Sequence, residues 1–147
     1  MIEVTLDDAD LQRGLGQLLR NATQTTPMMR GMAQELENLT KDNFASESWG
    51  GDKWPQSKAA AANSRKTLYA TGELHDSIST QSGNGYARIG SNMKYAAIHH
   101  FGGQAGRGRK LTLPARPYLP IDGSGKLQPS GEDKLLQVAL DALSKGV

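Results

Sequence analysis

The amino-acid sequence predicts an α+β fold in which a small antiparallel sheet packs with N-terminal and C-terminal helices and a long basic loop interrupts the sheet. Apolar residues recur at helical spacing near both ends of the chain. Two extended runs in the middle are separated by the turn-forming residues 82–85. Residues 102–110 (GGQAGRGRK) hold four glycines and three cations, which cannot build a core. The length of 147 residues fits one domain, residues 1–147.

Three helices are predicted from apolar stripes. The first covers residues 8–21 and follows a short alternating strand at 2–6. The second covers 27–45 and begins at Thr26-Pro27, a cap followed by a proline. The third begins after Ser130, with Asp133 placed for a weak capping box. The stripe of the first helix is Leu11, Leu15, Leu18, Leu19 and Ala22, and that of the third is Leu135, Leu136, Ala139, Leu140 and Leu143.

The middle of the chain is predicted to be mostly extended. Residues 45–68 indicate a long loop, because their alanine-rich part has no period, and a short helical turn follows around Leu74. Strands are predicted at 78–82, 86–90 and 111–113, and a helix at 94–101 directs Tyr95, Ile98 and His99 inward together. Residues 114–120 are locked by prolines, residues 123–131 form a linker, and the loop 102–110 projects from the subunit.

Composition excludes several classes of function. The chain has no cysteine, which excludes disulfides and thiolate sites. No apolar run approaches the ~20 residues of a membrane span, and the acidic N-terminus is unlike a signal peptide, so we expect a soluble protein made in a cytoplasm without membrane contact. His99 and His100 are adjacent, and on a helix their side chains diverge by about 100°. With no nucleophile or phosphate-loop motif, we predict no enzyme, no catalytic or metal-binding residue and no cofactor.

Charge is unevenly distributed although the net charge is only +2. Residues 1–47 carry eight acidic and four basic side chains, whereas residues 48–121 carry three acidic and ten basic ones. No carboxylate lies between Asp76 and Asp122. This block predicts a polyanion or an acidic protein surface as partner, with a solvated loop face as the alternative. Its cations are Arg88, Lys94, Arg107, Arg109, Lys110 and Arg116.

Several short motifs follow one another in a fixed order. Trp54-Pro55 precedes TGELHDSI (71–78), YAAIHHFG (95–102) and LPARPYL (113–119). In this order they resemble the phage virion morphogenesis family, which includes the tail-completion proteins of Mu-like and related tailed phages. The family pattern reads W-x-x-L, G-x-L-x-x-S-I, Y-A-x-I-H-x-x-G and P-A-R-P-[FY]-L, and the likeness covers residues 2–145. The chain departs from it at residues 56–61 and at His100, where glutamine is common.

The resemblance implies a structural role. Such proteins are small α+β subunits that assemble as a ring at the head–tail junction, where they terminate the tail tube or join it to the connector. The implied assembly is a homo-oligomer, a hexameric ring by analogy with tail-tube symmetry. Its implied partners are the tail tube protein and the head–tail connector proteins, with DNA in the lumen as a further contact. The implied location is the tail or neck of the virion, and the host cytoplasm during assembly.

Three readings of the function stay open at this point. The resemblance does not separate a tail terminator from a head-side connector or stopper. A nucleic-acid-binding module using residues 83–116 is the alternative from another class, and steep loss of binding with salt would support it. An enzyme is the third reading.

The motif residues also carry local predictions. An arginine held between Pro114 and Pro117 is placed for a bidentate carboxylate contact, within the subunit or on a neighbour. His99 is predicted to be buried with a bonded ring nitrogen, so that His99→Ala costs roughly 1–3 kcal/mol. The predicted interface residues are Arg107, Arg109, Lys110 and Arg116, and the predicted structural motif residues are Trp54, Leu74, Tyr95, His99, Gly102, Pro114 and Pro117.

Overall fold

The computed structural model describes residues 9–63, 66–68, 72–106, 108 and 111–147. The predicted strand at 2–6 lies outside these residues. The described part contains helices and short antiparallel strands, which confirms the α+β class. The helices are α1 (Ala9–Thr23), α2 (Thr26–Ser46), α3 (Lys58–Ala62), α4 (Glu73–Asp76), α5 (Ala96–Phe101) and α6 (Gly131–Ser144). The strands are β1 (Ser48–Trp49), β2 (Asp52–Lys53), β3 (Ser79–Gly83), β4 (Tyr86–Gly90), β5 (Gly103–Ala105) and β6 (Leu111–Leu113).

The strands form three hairpins instead of the one sheet that we predicted. Within the described residues, β1 pairs with β2, β3 with β4, and β5 with β6, each antiparallel and each a separate two-stranded sheet. Two-stranded sheets are marginal on their own and depend on packing against other elements. The predicted strands at 78–82, 86–90 and 111–113 agree with the observed bounds to within one residue. The prediction that they form one sheet is wrong.

Helix α2 is the element on which the others pack. It contacts α6 on one side and the β3–β4 hairpin on another. The hairpin turn is attached to the start of α2, because Asn84 Oδ1 accepts hydrogen bonds from the Thr25 backbone N–H (3.0 Å) and the Thr25 hydroxyl (2.6 Å). Thr25, and not Thr26 as we predicted, precedes the helix, and it makes no side-chain capping bond. Its hydroxyl fixes the hairpin turn instead.

Two segments predicted as irregular are ordered. Within residues 45–68, the alanines form α3, whose start is capped by Ser57 Oγ accepting from the Ala60 N–H at 3.0 Å. Ala60 is fully buried, so the small side chain serves close packing. Within residues 123–131, Asp122 Oδ1 accepts from the Ser124 N–H, the Ser124 hydroxyl and the Lys126 N–H at 2.7–2.9 Å, which closes a turn.

The predicted capping box before α6 is absent. Ser130 precedes the helix in a left-handed conformation (φ +66°) and makes no side-chain capping bond. A capping serine needs an extended backbone to direct its hydroxyl at the first turn. The position of the cap is thus correct, but the interaction assigned to it is wrong.

The core is small and rich in aromatic rings. The Phe44 ring meets the Trp54 ring edge-on at 5.9 Å and the Tyr118 ring at 5.2 Å. Such ring pairs contribute about 0.5–1.5 kcal/mol beyond the area they bury. The core lies between the second half of α2, the residues that follow β2, helix α4 and helix α5. Its buried members are Phe44, Trp54, Leu74, Ala96 and Tyr118, with Leu68, Ile78, Met93 and Leu119 packed around them.

Gly102 ends α5 at a point where two parts of the backbone come very close. It has φ +73°, and a Cβ placed there would lie 2.6 Å from the Ala115 backbone nitrogen and 2.9 Å from the Leu113 carbonyl oxygen. Only glycine fits both the conformation and the space. The H-x-x-G spacing therefore lets the chain after β6 pack against the end of α5.

We predict that Gly102→Ala destabilises the protein by about 3 kcal/mol, because backbone strain adds to the steric overlap with Ala115. Gly125→Ala is the matched control, since Gly125 has φ +83° and nothing within 4 Å of the added methyl group. The control should cost about 1 kcal/mol from backbone strain alone. Urea denaturation of both variants measures the difference. Equal losses would show that the close approach is not what requires glycine.

Candidate interaction site

The three cations of the predicted basic loop lie outside the described residues, but the strands that carry this loop are described. Gly103 pairs with Leu113 and Ala105 with Leu111, so residues 103–105 form a strand instead of part of a nine-residue loop. The connection that contains Arg107, Arg109 and Lys110 is thereby reduced to residues 106–110. Gln104, Leu111 and Thr112 are exposed, so the β5–β6 hairpin presents its side chains to solvent.

Arg116 is buried and does not belong to that exposed hairpin. It is 8% exposed, and its Nε donates to the Pro55 carbonyl at 2.6 Å. Its backbone N–H donates to the His99 carbonyl at 3.0 Å. Within the described residues Arg116 forms no ion pair with a carboxylate of this chain. The intramolecular partner of the guanidinium is thus a carbonyl and not the carboxylate that we considered.

The segment from Arg116 to Pro120 is held by side chains instead of by a neighbouring strand. Prolines at 117 and 120 have no N–H to donate, so the segment is unsuited to a regular ladder. Its carbonyls instead accept from side chains that arrive from α2 and from the β1–β2 region. Trp54 Nε1 donates to Pro117 O (2.7 Å), Asn43 Nδ2 to Tyr118 O (3.0 Å) and Trp49 Nε1 to Leu119 O (3.0 Å).

His100 supports the same segment, and its bonds define its protonation. Its Nδ1 accepts from the backbone N–H groups of Tyr118 (3.2 Å) and Leu119 (3.3 Å). Nδ1 therefore carries no proton, and Nε2 carries one and donates to the Ile121 carbonyl at 2.8 Å. Burial lowers the pKa of His100 against the weaker raising effect of the Ile121 bond. His100 is the buried structural histidine, with an exposure of 3%.

The prediction that Tyr95, Ile98 and His99 share the buried face of the helix is wrong. Helix α5 begins at Ala96, and its buried positions are Ala96 and His100, which are four residues apart and lie on one face. Tyr95 precedes the helix and is 59% exposed. The ring of His99 is partly buried and forms no hydrogen bond within the described residues. The structural role assigned to His99 belongs to its neighbour.

His99 and Arg116 instead line a cleft of about 290 Å³. Burial lowers the pKa of His99, and the nearby positive charge of Arg116 lowers it further. Burial also lowers the pKa of Arg116, which nevertheless stays charged at physiological pH. The described residues contain no cluster of side chains suited to a metal ion. The lining comprises Ser57, Thr67, Leu68, Gly72, Glu73, Leu74, Met93, His99, Leu113 and Arg116.

A second feature is the exposed apolar side of α1. Leu15, Leu18 and Leu19 are 55%, 37% and 64% exposed, and we call them the α1 leucine face. Helix α1 packs on α6 through its other side, where Asn21 Nδ2 donates to the Leu143 and Lys145 carbonyls at 2.8 Å. The periodicity of α1 is thus as predicted, but within the described residues its apolar stripe is not covered. Leu136 and Leu140 of α6 are exposed as well.

Sequence reasoning missed Asn43, Trp49 and His100 as the residues that hold the Arg116–Pro120 segment. For Asn43 a signal existed, because a polar residue stands on the apolar stripe of α2. A buried amide at such a position requires partners. Asn43 finds them in Tyr118 O, Gln128 Oε1 (2.6 Å) and the Gly50 N–H (3.2 Å).

We predict that stability falls as the pH is lowered from 7.5 to 5.5. The pKa values of His99 and His100 are lower in the folded chain than the usual 6.5. Their contribution is therefore complete above pH 6.5 and is lost as the pH falls towards the folded values. His100→Gln should flatten this dependence more than His99→Gln, since only His100 accepts two backbone N–H groups at Nδ1. Urea denaturation across the pH range measures this, and the reverse order of the two variants would contradict it.

Comparison with known proteins gives the chain a family. The model of the phage virion morphogenesis family matches residues 6–144. The chain is 38% identical over 120 residues to the "Mu-like prophage FluMu G protein 2" of Haemophilus influenzae, covering 81% of this chain and 83% of that protein. It is 33% identical over 138 residues to the "Putative capsid assembly protein G" of Escherichia phage Mu, covering 85% and 86%. No solved structure matches significantly.

These matches agree with the features of the described residues. None of their helices is both long enough and apolar enough to cross a membrane. The motifs that resembled the family are the ones that meet in the structure: Trp54 and the P-A-R-P-Y-L run are hydrogen-bonded, and the glycine of the Y-A-x-I-H-x-x-G box lies against Ala115. The family model covers nearly the whole chain, and both relatives are more than 30% identical to it over the aligned residues. The chain belongs to the phage virion morphogenesis family.

Proposed function

We propose that this chain is a structural subunit without catalytic activity that forms a closed hexameric ring at the tail end or neck of a phage virion. In that position it terminates the tail tube, joins the tail to the head connector, or does both. The observation that carries the proposal is the α1 leucine face, an apolar surface that the described part of the chain leaves open. Family membership supports a role in virion assembly.

An exposed stripe of leucines on a helix is a typical site of protein–protein contact. Burying one leucine side chain contributes roughly 1.5–3 kcal/mol, and large apolar patches are rare on subunits that remain monomers. Three leucines on α1 and two on α6 are exposed in this way. A ring in which each subunit covers the helices of the next would remove these side chains from water.

Charge and the β5–β6 hairpin support contacts of the head-to-tail type. The N-terminal 47 residues are net negative and residues 48–121 are net positive, so one region of a subunit complements the other region of its neighbour. Within the described residues, β5 and β6 pair only with each other. Their outer edges are available for a neighbour, and the basic connection between them is the segment that we propose meets an acidic surface or the channel.

The proposed partners are the tail tube protein and the head–tail connector proteins, with DNA in the lumen as a further contact, and the proposed location is the virion neck or tail. The Mu relative is named for capsid assembly, which supports virion assembly in general and keeps a head-side connector or stopper as the second candidate. A nucleic-acid-binding module on residues 83–116 is less favoured, because Arg116 is buried against Pro55 and is withdrawn from a phosphate-binding surface.

Imaging of virions together with native mass measurement of the purified protein tests the proposal. We expect a closed ring at the tail end in virions. In dilute solution, monomers are compatible with a ring that forms only on a tail, so the decisive observation is the virion. A single copy of the chain in the virion, or its absence from the neck and tail, would refute the proposal.

We predict that Leu15→Gln combined with Leu19→Gln leaves the fold intact and abolishes ring formation. Both side chains are largely exposed in the subunit, so the free energy of unfolding should change by less than about 1 kcal/mol. Ile121→Thr is the control, because it also removes apolar surface from an exposed residue but does so on a different element. Circular dichroism checks folding, and virion yield with negative-stain imaging checks assembly. Normal virions from the double variant would exclude the α1 leucine face as an interface.

We also predict that replacing Arg107, Arg109 and Lys110 by Ser together leaves folding nearly intact while ring formation or head–tail joining fails. Ordering the five residues 106–110 costs roughly 5–10 kcal/mol of backbone entropy, which contacts in the assembly would offset. Thermal denaturation and counts of joined virions are the two measurements. Unfolding of the triple variant, or virions at normal yield, would show that the basic segment is not the joining element.

A further inference from the structure

Arg116 has donors that the subunit does not use. Its Nε bonds to Pro55, but Nη1 and Nη2 have no hydrogen-bond or ion-pair partner within the described residues. No side-chain nitrogen or oxygen in that part of the chain is both fully buried and unpaired. The two Nη groups therefore keep contact with solvent, although the residue as a whole is only 8% exposed. The surface that Arg116 lines is the cleft beside His99.

A mostly buried guanidinium without a counter-charge raises the free energy of the folded subunit. Removing a guanidinium from water requires pairing and well-made hydrogen bonds to offset the loss of hydration. Glu73 also lines the cleft, but it forms no ion pair with Arg116. His99 is the other titratable side chain in the lining, and it repels a further positive charge when protonated. Within the described residues, the guanidinium of Arg116 thus has no carboxylate bonded to it in this cleft.

The form of the cleft selects a carboxylate. Its walls include the apolar side chains of Leu68, Leu74 and Met93, which suit the methylene groups of an acidic side chain. Because Nε is occupied by Pro55, a ligand meets the guanidinium end-on, and Nη1 and Nη2 match the two oxygens of a carboxylate. A phosphate group carries more negative charge than one arginine offsets, whereas a carboxylate carries a single charge that matches it.

We propose that this cleft binds an acidic side chain of a neighbouring copy of the chain, so that Arg116 completes its ion pair across the subunit interface. This inference rests on the proposed ring. The chain supplies suitable carboxylates itself, since residues 1–47 contain eight acidic side chains. The same residues are the net negative region that complements the positive middle of the next subunit.

The cleft is tested first in the free subunit, with sodium acetate as the probe and sodium chloride at equal ionic strength as the reference. Nuclear magnetic resonance of the His99 ring reports occupancy, because a carboxylate that offsets the charge of Arg116 raises the pKa of His99. We expect a saturable change with acetate. Arg116→Gln should abolish it, and Arg88→Gln, which removes an exposed arginine on β4, should not.

An unchanged His99 signal in acetate, or an equal response in Arg116→Gln, would overturn the proposal. If Arg116→Gln fails to fold, modification of the wild-type arginine by butanedione replaces it. Acetate should then slow the modification of Arg116 and leave that of Arg88 unchanged. Loss of selectivity between these two arginines would equally overturn the proposal.

The occupant is tested in the assembled state. If the neighbour's carboxylate fills the cleft, Arg116 resists butanedione in the ring and the pKa of His99 is higher than in the free subunit. A ring in which Arg116 reacts as in the free subunit would refute the second copy as occupant and leave the proposed function standing. If no ring forms on any tail, the proposed function is refuted, and so is the proposal that a neighbouring copy fills the cleft. The acetate experiment still decides whether the cleft binds carboxylates.

Discussion

The fold depends on satisfying the backbone of the Arg116–Pro120 segment. Two of its residues are prolines, and the segment passes through the core, where unpaired carbonyls and N–H groups would cost about 1–3 kcal/mol each. Side chains take the place of a neighbouring strand: Trp54, Asn43 and Trp49 donate to its carbonyls and neutral His100 accepts from its N–H groups. Residues distant in sequence are thereby brought to one place, and α2, the β1–β2 hairpin and α5 are oriented around them.

The local elements could be predicted from the sequence because each has its own periodic or turn signal. Helices α1, α2 and α6 and the β3–β4 hairpin were found within a few residues of their bounds. Long-range partners could not be found in this way. His99 and His100 are adjacent residues of the same type, so the sequence does not distinguish them. Only the start of α5 at Ala96 decides that His100 faces the core. The bonds of Asn43 and Trp49 depend on where residues 118–119 pass, about 70 positions away.

The candidate site was predicted less completely than the fold. Charge alone grouped Arg116 with Arg107, Arg109 and Lys110 although Arg116 is buried, because charge in the sequence does not report burial. Periodicity likewise identifies an amphipathic helix without identifying what covers it. In α1, Leu15, Leu18 and Leu19 follow the predicted period, but the described part of the chain does not cover them. A stripe that the described residues leave open is itself informative, since large exposed apolar patches are typical of interaction surfaces.

Arg116 connects the core to the cleft. It begins the segment on which the core depends, and its free Nη groups face the cleft that we propose a neighbour fills. A group that binds the folded subunit and not the unfolded chain stabilises the fold by mass action. If a neighbour fills the cleft as proposed, it strengthens the packing of the Arg116–Pro120 segment, whereas in the free subunit the Nη groups of Arg116 have no bonded partner among the described residues. The proposed ion pair would in this way link assembly to subunit stability through one side chain.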